Sequence, residues 1–107
     1  MNNNYYIMRH GESVANKEKK IISNPDIGTV QYGLTENGKS AVLDAFSSFD
    51  KKDLISRIIS SDFLRAMETA ELVLKESGIN TIEKTILLRE RFFGNYDSCD
   101  DECYNIV

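Results

Sequence analysis

Arg57-Ile58-Ile59-Ser60-Ser61-Asp62-Phe63-Leu64-Arg65-Ala66-Met67-Glu68-Thr69-Ala70 changes its hydrophobic period partway along. The β-branched pair Ile58-Ile59 ends in two small polar residues, which reads as a strand stopping at a turn. Beyond it Ala66, Met67, Ala70, Val73 and Leu74 recur at helical spacing until Gly78, whose tolerance of left-handed backbone suits a helix stop. Thr81 to Leu88 is β-prone again. A strand, a helix and a second strand in that order form a crossover unit, and right-handed crossovers build parallel sheets.

Towards the N-terminus, Tyr5-Tyr6-Ile7-Met8 is a short aromatic and apolar run, predicted as a buried strand that feeds a tight turn at Arg9-His10-Gly11-Glu12. Residues 17–33 carry Lys17, Lys19, Lys20, Asn24-Pro25-Asp26, Gly28 and Gly33, the turn chemistry of a polar surface loop. Thr35 is placed to cap a helix over 36–49, with Ala41, Val42, Ala45, Phe46 and Phe49 on its apolar face. The order strand, helix, strand, helix, strand predicts an α/β fold with a mainly parallel sheet flanked by helices. Ligands of such sheets bind beyond the carboxyl ends of the strands, here Arg9-His10-Gly11, Ser60-Ser61-Asp62 and Arg89-Glu90-Arg91.

The 107 residues are 41% apolar and 28% charged, which suits one domain over 1–107 and excludes collagen, low-complexity disorder and repeat solenoids. No stretch approaches the roughly 20 apolar residues of a membrane-spanning helix. Met1-Asn2-Asn3-Asn4 also lacks the build of a signal peptide, so a cytoplasmic protein without membrane partners is expected. Thirteen basic against seventeen acidic residues give a net charge of −4, the wrong sign for broad binding to nucleic acid. A small phosphorylated substrate or inorganic phosphate is compatible with that charge, because a few well-placed arginines suffice for one phosphate. Cys99 and Cys103 would share one helical face but lack the further ligands of a zinc site, so they read as ordinary thiols and no metal or other cofactor is expected.

The chain has one histidine, His10. A neutral imidazole nitrogen is a competent nucleophile toward phosphorus when its ring is held in one tautomer. Arg9 beside it disfavours imidazolium and offers a guanidinium able to hold two non-bridging phosphoryl oxygens, while Gly11 lets the backbone pass close to them. The plainer alternative is a strand-end turn with two solvated side chains. Arg65, one turn into its helix, adds a second guanidinium near an anion-favouring helix terminus, or else is a surface arginine paired with Glu68 or Glu71. Glu90 is a candidate proton donor, although within Arg89-Glu90-Arg91 it also reads as part of a solvated charge cluster.

Arg9-His10-Gly11-Glu12-Ser13, followed by Asn16, resembles the Arg-His-Gly signature of the histidine phosphatase superfamily, the group that contains cofactor-dependent phosphoglycerate mutases and many small phosphatases. Tyr32 to Gly38, Ser60 to Ala70 and Leu88 to Gly94 agree with it in order and spacing, so the resemblance covers nearly the whole chain. It implies a phosphoglycerate mutase-like domain in which His10 becomes phosphohistidine, Arg9, Arg65, Asn16 and Ser13 bind the phosphoryl group, Glu90 protonates the leaving oxygen, and no metal takes part. Family members also carry a second active-site histidine in a later His-Gly pair, and no histidine follows His10 in this sequence. The chain thus resembles the N-terminal portion of a family domain, incomplete at its C-terminus. It is expected to leave apolar sheet surface and a strand edge that a homodimer or swapped oligomer would cover.

Two functions are therefore in competition: a phosphatase for small phosphorylated metabolites, and a truncated or impaired relative that acts as a phosphate-binding, self-associating module. A phosphoglycerate mutase is a lesser alternative, because the chain lacks room for the longer segments with which mutases retain a phosphorylated intermediate.

Overall fold

Side chains with short polar tips begin three of the four helices in the computed structural model, which describes residues 5–89. Ser13 caps the single turn α1 (Val14–Lys17), Asn24 caps α2 (Pro25–Gly28) with Pro25 in its first turn, and Thr35 caps α3 (Glu36–Ser47). In each case the side-chain oxygen accepts from a backbone N–H that the helix itself leaves unsatisfied. The fourth helix, α4 (Leu64–Ser77), starts at Phe63 without a side-chain cap and ends at Gly78, whose φ of 76° is the left-handed conformation expected of a stop glycine.

Strand β1 (Ile58–Ser60) pairs in parallel with β2 (Ile82–Lys84), with Ile58 opposite Ile82 and Ser60 opposite Lys84. Helix α4 is the crossover between them, so the α/β arrangement read from the period change at Ser60 is present. Helix α3 packs on α4, and α4 packs on β1. Val42 and Phe46 of α3, Phe63 and Ala70 at α4, and Ala15, Ile21, Ile22 and Leu34 from the N-terminal segments form the buried apolar core.

Four expectations are corrected. Tyr5-Tyr6-Ile7-Met8 is not a buried strand: it joins no ladder among the described residues, and Tyr5 and Ile7 are 82% and 100% exposed. Apolar composition sets a preference for burial, but a strand exists only where a neighbour supplies hydrogen bonds and a covering layer. Residues 17–33 are not simply a surface loop, because Ile21, Ile22 and Ser23 are at most 1% exposed and α2 follows them. The lysines around that segment face solvent and mask two core isoleucines in any average over the stretch. The third β-prone run is a strand only over Ile82–Lys84, after which Ile86–Leu88 forms an exposed 3-10 turn. Helix α3 also stops two residues short of Phe49, whose ring meets Tyr6 edge-on at 5.3 Å.

The loop after His10 crosses the first turn of α3 backbone to backbone. A Cβ on Gly38 would lie 2.2 Å from the Glu12 carbonyl oxygen, and one on Gly11 would lie 2.7 Å from the Gly38 carbonyl oxygen. Gly38→Ala would gain about 1 kcal/mol of helix propensity, yet forcing the two backbones apart costs about 1–3 kcal/mol. Urea denaturation is therefore expected to show a net loss of stability for Gly38→Ala; a gain would contradict the crossing.

Candidate active site

Backbone pairing fixes the turn that carries His10. The Thr35 amide donates to the Glu12 carbonyl at 3.0 Å and the Val14 amide to the Gly33 carbonyl at 2.8 Å, so two segments distant in sequence run antiparallel. The Thr35 hydroxyl donates to Glu12 Oε1 at 2.6 Å while accepting from the Gly38 amide, which joins the same turn to the N-terminus of α3.

His10 Nδ1 lies 2.6 Å from the Gly11 carbonyl oxygen. A carbonyl can only accept, so Nδ1 carries the proton and, in the neutral ring, Nε2 carries the lone pair. The Gly11 amide donates to Thr69 Oγ1 at 3.1 Å, and that hydroxyl donates to the Arg65 carbonyl at 2.8 Å. His10, Gly11 and the first turn of α4 are thereby connected through one chain of hydrogen bonds.

Arg65, the second residue of α4, is buried. Its Nη1 donates to the Ile22 carbonyl at 2.9 Å, and its guanidinium carbon lies 5.0 Å from the Phe63 ring centroid. It is not the surface arginine paired with Glu68: Glu68 Oε1 accepts from the Leu34 amide at 2.6 Å instead. Arg9 and Asn16 are exposed. Ser13 is fully enclosed, and it forms a reciprocal cap in which its hydroxyl accepts from the Asn16 amide while Asn16 Oδ1 accepts from the Ser13 amide, at 3.1 and 3.0 Å. In this arrangement Ser13 sets the position of Asn16. Glu90, Cys99 and Cys103 lie outside the described residues.

At the carboxyl end of β1, Asp62 accepts two hydrogen bonds from Arg89, the Nε one at 2.8 Å. That guanidinium holds the Asp62 carboxyl below its ordinary range, burial opposing it less strongly. Arg89, read from composition as part of a solvated cluster, is therefore a tie between the segment after β2 and the end of β1. The roles of two further residues, Thr69 and Glu68, escaped the sequence reading. For Thr69 a signal existed, since it stands four residues after Arg65 and so shares its helical face. For Glu68 none did, because its partner is a backbone amide 34 residues away. Among the described residues, no group of three His, Cys, Asp or Glu is placed to hold a metal ion, and no helix is long and apolar enough to cross a membrane.

The sequence and the fold that carry this turn have known counterparts. Residues 5–105 match the histidine phosphatase superfamily (branch 1), and the chain belongs to that superfamily. It is 32% identical over 89 residues to phosphoglycerate mutase-like protein 4 of Arabidopsis thaliana, covering 83% of this chain and 36% of that protein. Its fold superposes on the mycobacterial glucosyl-3-phosphoglycerate phosphatase in complex with VO3 with a TM-score of 0.72, at 23% identity, over 91% of this chain and 45% of that one. For phosphoglycerate mutase from Bacillus anthracis the TM-score is 0.69 at 30% identity, over 85% and 38% of the two chains. The chain spans about a third of the length of the curated relatives it matches, 36% and 35% for two of them.

The lowered Asp62 group gives a pH test. Its contribution to stability is complete above the ordinary carboxylate range and is lost as pH falls through the lowered native value. Asp62→Asn is therefore expected to shift the urea midpoint downward at pH 7, and its gap to wild type should begin to narrow as pH falls into the ordinary carboxylate range and close only below the lowered native value. A gap that stays constant with pH would show that the ion pair is not its cause.

Proposed function

We propose that this chain transfers the phosphoryl group of small phosphorylated metabolites to water through a phosphohistidine on His10. The observation that carries the reading is the hydrogen bond from His10 Nδ1 to the Gly11 carbonyl, which leaves Nε2 as the nucleophilic nitrogen. Nε2 attacks phosphorus, the P–O ester bond breaks, and the leaving oxygen takes a proton from Glu90. Water then attacks the phosphohistidine, gives its proton to the Glu90 carboxylate and releases His10 and inorganic phosphate. Arg9, Arg65 and Asn16 hold the phosphoryl oxygens while charge spreads over them in the loose transition state, and Ser13 contributes by capping Asn16. Two of the similar proteins support the substrate class by name, a glucosyl-3-phosphoglycerate phosphatase and a phosphoglycerate mutase.

A second reading, a phosphate-binding module that associates with itself, draws on the exposed Tyr5, Ile7 and Leu87 and on the single histidine in the sequence. A mutase reading would show itself as turnover dependent on 2,3-bisphosphoglycerate.

Hydrolysis of p-nitrophenyl phosphate separates them. His10→Ala is expected to lower the rate by at least roughly 10³-fold, as loss of a nucleophile does elsewhere. Equal rates for the two proteins would overturn the phosphatase reading. Vanadate binding by calorimetry without turnover, in a species that sediments as a dimer or larger, would establish the module instead.

A further inference from the structure

We infer that Thr69 is a positioning residue for His10, holding the imidazole in its nucleophilic tautomer from the neighbouring helix. The inference rests on the phosphohistidine reading for its purpose but not for its geometry. Thr69 is buried in α4, where a β-branched residue gains nothing from helix propensity. Its hydroxyl has one proton, and that proton goes to the Arg65 carbonyl, which can only accept. The lone pair left over receives the Gly11 amide.

The Gly11 amide belongs to the peptide that leaves His10. Anchoring it fixes that peptide plane at one end, and the donation from the Thr35 amide to the Glu12 carbonyl fixes the chain one residue further on. Gly11 itself has no side chain to restrict its rotation, so these two anchors decide where its carbonyl points. That carbonyl is the acceptor of His10 Nδ1. The Gly11 carbonyl lies in the next peptide plane, between the two anchors; without Thr69 Oγ1 the His10–Gly11 plane is free to turn, rotation at Gly11 carries the carbonyl away from the ring, and either ring nitrogen can hold the proton.

Because His10 is the one histidine in the sequence, long-range proton–nitrogen NMR of the full chain reads its tautomer without ambiguity. In wild type above the ring's titration, one protonated and one bare nitrogen are expected, with the proton on Nδ1, and the Gly11 amide should exchange slowly with solvent. In Thr69→Val, which keeps the shape and removes the hydroxyl, the two nitrogen shifts should move toward each other, and Thr69→Ser should restore them. If the chain turns over substrate, Thr69→Val should lose on the order of 10- to 100-fold in kcat with KM little changed. An unmoved tautomer in folded Thr69→Val overturns the inference even if turnover falls. Fast exchange of the wild-type Gly11 amide overturns it without any variant. A shifted tautomer in a chain with no turnover upholds it while removing the phosphatase reading.

Discussion

Two glycines meet where the turn after His10 crosses the start of α3, and no side chain of any size fits between them. The contact is backbone against backbone, so the turn can sit against the helix only while both positions lack a Cβ. Around that crossing the Glu12–Thr35 pairing, the cap on Gly38 and the reciprocal cap of Ser13 and Asn16 fall into place. Among them, the backbone amides of Ser13, Asn16, Thr35 and Gly38 each find an acceptor. The histidine is therefore held by packing that is local in space and spread over more than fifty residues of sequence, from Gly11 to Thr69.

Arg65 shows how the same packing serves charge. Taking a guanidinium out of water is costly, and the molecule offsets the cost with the Ile22 carbonyl and the face of Phe63. The carbonyl comes from a segment whose lysines point outward and whose isoleucines point inward, so burial of Ile21 and Ile22 is also what presents an acceptor to the arginine. An arginine fixed in this way is already ordered, and in the proposed phosphate-binding role it would lose little further entropy.

Much of this was legible in the residues. The period change after Ser60 announced β1, α4 and β2, Thr35 announced the start of α3, and Gly78 announced the end of α4, because each signal is local and acts through its own backbone. The role of Tyr5–Met8 was not legible, since a strand depends on a partner that composition does not name. Ile21 and Ile22 were hidden by the lysines beside them. At the site, Arg9, His10 and Arg65 stood out by chemical type and Asn16 by the family resemblance, whereas Thr69 and Glu68 matter through backbone amides at Gly11 and Leu34, and any residue has an amide to offer. Sequence points to groups that react; the groups that place them act through the backbone and become visible only with the fold.

The nitrogen that bonds to phosphorus decides whether the tautomer at His10 is the basis of function. The chain should be mixed with p-nitrophenyl phosphate and quenched within the first turnover into alkali, where phosphohistidine survives, and the phosphorylated nitrogen assigned by mass spectrometry and phosphorus–nitrogen NMR. One phosphoryl group on Nε2 of His10 is expected. Phosphate on Nδ1, on another residue, or on none while p-nitrophenolate is released would contradict it.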